Sequence, residues 1–284
     1  MMDPLGVGAA LAAAAIWALV IFLYKRHMQS LDAAAVNFSR LMYVAVLLAP
    51  TALFIEPAPG LWAAVVSGVV TLFVGDSLYF YAIHKVGGSV AAPLAYTYIV
   101  MAQYFALLLG EKVSQWLFLS SILAVAGVSL LAGGGDARLS PLGLAAAAGA
   151  ALLWSLGMTA VKLAVLGNVN PLAVAYLRAA SACAALGLYL AAKRRLKVVK
   201  SPLFAAASLM DLGVGSALFA FAVGKIGLAL TTILVSASPL ITQLYAKLTG
   251  VENLKPRQMA GAVAIFAAVL TAVGSTPSAA PTQP

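Results

Sequence analysis

The sequence predicts an all-α integral membrane protein of ten transmembrane helices, arranged as two inverted five-helix repeats. Three observations carry that expectation. First, 63% of the 284 residues are hydrophobic, only 9% are charged, and mean hydropathy is +1.03. A soluble globule carries about 25% charged residues, so little here could coat a water-soluble surface. Second, apolar runs of the length that crosses a bilayer follow one another between short polar breaks. Third, the chain repeats itself on polar and small residues. Trp17 and Lys25 recur 137 positions later as Trp154 and Lys162, and Arg40 recurs at 138 as Arg178. Gly75, Leu78, Ala82, Lys85, Gly87, Gln103 and Gly110 recur at 140 as Gly215, Leu218, Ala222, Lys225, Gly227, Gln243 and Gly250. Five spans per copy is an odd number, so the second copy enters the bilayer upside down. That arrangement recurs in secondary transporters, with the substrate site at the repeat interface.

The runs fall at 5–24, 33–55, 61–83, 88–109, 115–133, 142–166, 171–192, 203–223, 228–249 and 257–274. MMDPLG ahead of the first has no basic stretch, so that run reads as a retained span rather than a cleaved signal. Breaks such as KRHMQSLD, EPAPG, HKVGG, GKIG and TGVENLKP separate the others. The Gly-rich stretch 133–141 divides a first repeat, 1–135, from a second, 142–274. The Pro-rich end, 275–284, reads as a disordered tail.

Of the 17 basic residues, eleven sit in loops after odd-numbered spans, with KRRLKVVK the densest cluster. Only Lys112, Lys162 and Lys225 lie on the other side. The positive-inside rule then places both termini outside the cytoplasm, in a plasma-membrane protein. The same rule accounts for the net charge of +9 without a nucleic-acid partner.

Charges inside the spans need a reason, because each costs about 2.5–3.5 kcal/mol at the helix centre on insertion scales. Arg40 and Asp76 lie at matching depths, roughly 10 Å in at 1.5 Å per residue. Asp211 falls near that level, and Arg178 enters from the opposite face. Arg40 and Asp76 read equally as a packing ion pair or as groups lining a polar cavity. In the second case the arginines meet a carboxylate or phosphate, and Asp76 or Asp211 carries a coupling proton. Asp211 has Thr71 as its repeat mate and breaks the symmetry. Span four carries Tyr96, Tyr98 and Gln103; span nine carries Ser236, Ser238 and Gln243. Tyr96 and Gln103 are seven apart, as are Ser236 and Gln243, which puts each pair on one helix face. With Trp17, Trp154, Arg40 and Arg178 these residues form the expected substrate site. Glu111 and Glu252 read as interfacial caps, and Lys25 and Lys162 as snorkelling anchors. The small-residue spans five and ten read as scaffold or homodimer packing.

Trp in the first span followed eight residues later by Lys, an arginine in the next span, and GEKVSQ closing span four together resemble the EamA family of the drug/metabolite transporter superfamily. The resemblance covers nearly the whole chain. Two positions depart between the halves: Ser238-Pro239 stands where the first half has Tyr98-Ile99, and Gly250 and Glu252 are separated where Gly110 and Glu111 adjoin. The resemblance implies a permease or exporter of small metabolites, such as amino acids, working by alternating access. With the two arginines it favours a zwitterionic or anionic solute.

Rival classes are narrowed by the same residues. An enzyme would need a reactive cluster, but His27 and His84 sit near loop ends with no ligand or nucleophile spacing around them. The single Cys183 excludes an internal disulfide and a cysteine metal site, and no cofactor motif is present. A membrane scaffold would leave the paired polar faces unexplained. A drug or cation exporter, served by the mid-membrane aspartates, is the alternative within transport.

Overall fold

The computed structural model describes residues 3–28, 32–132, 140–250 and 255–275, without the side chains of 25–28. The repeat boundary at 133–139, Glu252, most of the tail and the side chain of Lys25 therefore lie outside the described residues.

Every regular element among the described residues is helical: α1 (Pro4–Met28), α2 (Ala33–Leu47), α3 (Leu61–Val86), α4 (Gly88–Leu108), α5 (Gln115–Ala132), α6 (Pro141–Leu166), α7 (Pro171–Ala192), α8 (Pro202–Val235), α9 (Ser238–Leu248) and α10 (Pro256–Gly274). Eight of them are long and apolar enough to cross a membrane; α2 and α9 are shorter. A 3₁₀ turn, Ala49–Phe54, extends α2 past Leu48, with Pro50 in its first turn. Starts are encoded locally. Ser140, Asn170 and Ser201 each precede a proline and cap the first turn with a side-chain oxygen, leaving the missing proline N–H where no bond was needed. Asp32 caps α2, accepting from Ala35 N at 2.7 Å.

The interruptions matter more than the starts. Gly87 (φ 81°) separates α3 from α4, and Gly227 (φ 83°) bends α8 into arms 202–226 and 228–235. Both glycines stand in the left-handed region that side-chain-bearing residues avoid. Helix α3 widens into a π-helical stretch at Gly68–Gly75, and α8 does the same at Leu209–Gly215. Such stretches loosen the backbone ladder and frequently mark functional sites.

The packing follows a pattern that survives exchanging the halves. Helix α1 lies along α8 and α6 lies along α3, so the first helix of each half embraces the third helix of the other. Helix α2 packs on α7, and α5 on α10. At the α5–α10 crossing a Cβ on Gly127 would come 2.9 Å from Gly261 O, and one on Gly261 would come 2.7 Å from Gly127 O. The small residues of these two helices thus serve close backbone approach within the chain.

Candidate solute site

The two π-helical stretches each meet a tryptophan from the opposite half. Trp154 Nε1 donates to Asp76 Oδ1 at 3.0 Å, one residue past the first stretch. Trp17 Nε1 donates to the backbone oxygen of Asp211, within the second, at 3.2 Å. Glycine makes both approaches possible. A Cβ on Gly75 would sit 2.8 Å from Trp154 Cδ1, and one on Gly215 would sit 2.6 Å from Trp17 Nε1.

Arg40 pairs with Asp211 rather than with Asp76, which corrects the pairing expected from depth. Arg40 Nη2 lies 2.9 Å from Asp211 Oδ2, the same oxygen that accepts the Tyr24 hydroxyl at 3.0 Å. The guanidinium also stands over the Tyr24 ring, 5.1 Å from its centroid. All three groups share a level along their helices; α2, which carries Arg40, packs on the Leu209–Gly215 stretch of α8, and that contact decides which acid Arg40 meets. Among the described residues Asp76 forms no ion pair, and Trp154 is its only hydrogen-bond donor.

Asp76 faces a cavity of about 460 Å³. Trp17, Arg40, Tyr79, Phe80, Tyr96, Tyr98 and Trp154 line it, with Ser238, Pro239, Thr242 and Gln243 across from them. Of the expected site residues and proton-coupling candidates, Gln103, Arg178, Ser236 and Asp211 are absent from this wall. Gln103 is buried and its amide nitrogen donates to Ile99 O, Ala229 O and Thr232 Oγ1. Ser236 is buried and donates to Ile233 O. Arg178 is 4% exposed, and among the described residues its guanidinium hydrogen-bonds Ser216 Oγ alone, at 3.4 Å. Tyr79, Phe80 and Thr242 joined the site unannounced by the repeat. Tyr79 packs at a tilt against Trp154, with ring centroids 4.8 Å apart, a contact across halves that no single-helix pattern encodes.

Depth explains the split. The lining runs from the middle of the helices toward the end that holds the α1–α2, α3–α4, α7–α8 and α9–α10 loops, where the basic residues gather. Helix α4 starts at that end, so Tyr96 lies nearer to it than Gln103. Helix α9 finishes there, so Gln243 lies nearer than Ser236. The seven-residue spacing did not put either pair on one cavity face, because α4 breaks at Thr97 and the 228–248 stretch breaks at 236–237, between the members of each pair.

At the opposite end, charged side chains clamp helices together. Glu111, just beyond α4, accepts from Leu228 N at 2.6 Å and Ala229 N at 3.0 Å, capping the second arm of α8. Its Oε1 also pairs with Lys162 Nζ at 3.1 Å, and Lys162 bonds Val223 O at the end of the first arm. Lys162 is thus a partly buried tie between helices rather than a snorkelling anchor, while Glu111 is the cap expected of it. Asp3 reinforces this end by meeting Lys225 at 3.5 Å.

A multi-pass helical membrane protein with buried charges facing a solute-sized cavity has the build of a membrane transporter. Comparison with known proteins bears on the same point: the profile of the EamA-like transporter family matches residues 4–133 and 141–274, and the chain belongs to that family. An uncharacterized transporter of Archaeoglobus fulgidus is 25% identical over 269 residues, covering 92% of this chain and 95% of that one. A crystal structure 18% identical in sequence superposes with a TM-score of 0.77, covering 94% of this chain and 98% of the other, which bears on the fold alone.

Proposed function

We propose that the protein is a secondary transporter that moves a small solute through the Asp76 cavity by alternating access. In this reading the arm 228–235 and α9 together make a ninth crossing. The ten crossings then form two inverted five-helix repeats, with both termini outside the cytoplasm in the plasma membrane. The observation that carries the reading is the division of repeat-equivalent residues: Tyr96 and Gln243 line the cavity, while their mates Ser236 and Gln103 are buried. Inverted repeats place equivalent positions at opposite depths, so exchanging the conformations of the two halves would bury the first pair and expose the second. Arg178, the mate of Arg40, would enter the wall in the same exchange. The present form is then the inward-facing one, closed outside by the Glu111 clamp.

Asp76 is the better candidate for the coupling proton, because Asp211 is already engaged by Arg40 and Tyr24. Purified protein in proteoliposomes tests the function through counterflow of labelled amino acids and amines. Saturable exchange is expected from wild type and should be lost in Trp154→Ala, which removes a cavity wall and the donor to Asp76. Absence of exchange for every solute would favour a scaffold role.

A further inference from the structure

We infer that the cavity selects an organic ammonium ion, with Asp76 as the residue that holds its charge; this rests on the reading of the cavity as the solute site. The expectation of a zwitterionic or anionic cargo needed free arginines. Arg40 is neutralised at 2.9 Å by Asp211, and Arg178 is buried away from the wall. Asp76 is left as the cavity-facing charge with no ion partner among the described residues. Asp76 is partly buried and interacts with Arg40 and Arg178 at longer range, but neither closes to an ion pair with it, so a cation entering the cavity meets its carboxylate directly.

The surroundings fit the same ligand. Four aromatic rings form a continuous chain beside Asp76. Tyr79 and Trp154 have centroids 4.8 Å apart, Trp154 and Tyr98 are 5.9 Å apart, and Tyr98 and Tyr96 are 5.7 Å apart. Ring faces attract ammonium groups through their quadrupoles, most strongly where water is excluded. Trp154 anchors the arrangement: its N–H fixes Asp76 Oδ1 and its ring faces Tyr79 and Tyr98. The carboxylate is therefore oriented before any ligand arrives, which lowers the ordering cost of binding. An ammonium with an apolar body would place its charge between Asp76 and the rings and its body toward Pro239.

Three probes that differ in their charged groups decide the matter: phenethylamine, phenylalanine and 3-phenylpropionate. Binding is measured on the full-length protein in nanodiscs by equilibrium dialysis of the labelled compounds. The amine should bind wild type at least about tenfold more tightly than the propionate, and Asp76→Asn should erase that difference. Asp76→Glu should keep the preference. Tighter binding of the propionate or of phenylalanine than of the amine would overturn the assignment, and so would a lack of saturable amine binding. Unchanged amine affinity in Asp76→Asn would overturn it as well. The wild-type comparison stands even if a variant folds poorly. Amine selectivity without counterflow would sink the transport reading and leave the ligand assignment intact.

Discussion

Asp211 and Asp76 are both aspartates near the mid-membrane level, yet the structure gives them different work. Asp211 is held by a guanidinium and a phenol, so removing its charge strands Arg40 in a buried site. Breaking one partner of a buried pair costs about 3–5 kcal/mol. Asp211→Asn is therefore expected to lower the melting temperature in detergent sharply, and Arg40→Met in the same chain to restore part of it. Asp76→Asn keeps an acceptor for Trp154 and breaks no ion pair. Its cost should stay within about 1 kcal/mol, the scale of one hydrogen bond. Equal destabilisation by the two substitutions would contradict the assignment of roles. The sequence made the levels of Arg40, Asp76 and Asp211 legible, because depth follows from counting residues along a helix. It could not tell which acid Arg40 meets, because that depends on which helices become neighbours. Trp17 and Trp154 were found by the repeat alone, though their bonds to the opposite half's aspartates were not.

At the scale of the element, breaks rather than helices set the site. Gly87 and Gly227 were legible from HKVGG and GKIG, and both stand at φ near 80°. The π-helical stretches were not, since VVTLFVG and LMDLGVG read as unbroken apolar helix. Each stretch ends at a glycine, Gly75 or Gly215, that lies against a tryptophan of the other half. The breaks at Thr97 and at 236–237 arise at equivalent places from different prolines. Pro93 lies inside the helix ahead of the first, whereas Pro239 starts the helix after the second. Pro93 removes a backbone donor from the ladder, whereas Pro239 sits in a first turn whose N–H groups need no helical partner, so the helix can restart there. The Glu111 clamp depends on Gly227 in turn. A Cβ there would lie 2.7 Å from Glu111 Oε2 on a backbone that disfavours side chains. Gly227→Ala should thus speed hydrogen exchange at the Leu228 and Ala229 amides, as should Glu111→Gln. Lys162→Met combined with Glu111→Gln should cost less than the sum of the single changes, with a coupling of about 0.5–3 kcal/mol. Strict additivity would mean that the two side chains do not act as one clamp.

For the whole molecule, the pattern that survives exchanging halves gives the account its central claim. Tyr96, Gln243 and Arg40 line the cavity while their repeat mates Ser236, Gln103 and Arg178 are buried, and the central pairs Trp17/Trp154 and Tyr98/Ser238 line it from both halves. The small-residue contact of α5 with α10, fixed by Gly127 and Gly261, supplies a frame against which other helices can shift. Gly127→Val should accordingly lower stability by overpacking, about 1–3 kcal/mol by the usual cost of excess core volume, as measured by thermal unfolding. Ser238 and Ser236 are two residues apart, the first on the cavity wall and the second fully buried. In a Cys183→Ser background, each is replaced singly by cysteine and exposed to a membrane-impermeant thiol reagent from one face of a sealed vesicle at a time. Ser238→Cys should react from the face carrying the basic loops. Ser236→Cys should be protected in the resting protein and react from the opposite face once Glu111→Gln releases the clamp. Reaction of both cysteines from the same face, or protection of Ser236→Cys after the clamp is released, would contradict alternating access through this cavity.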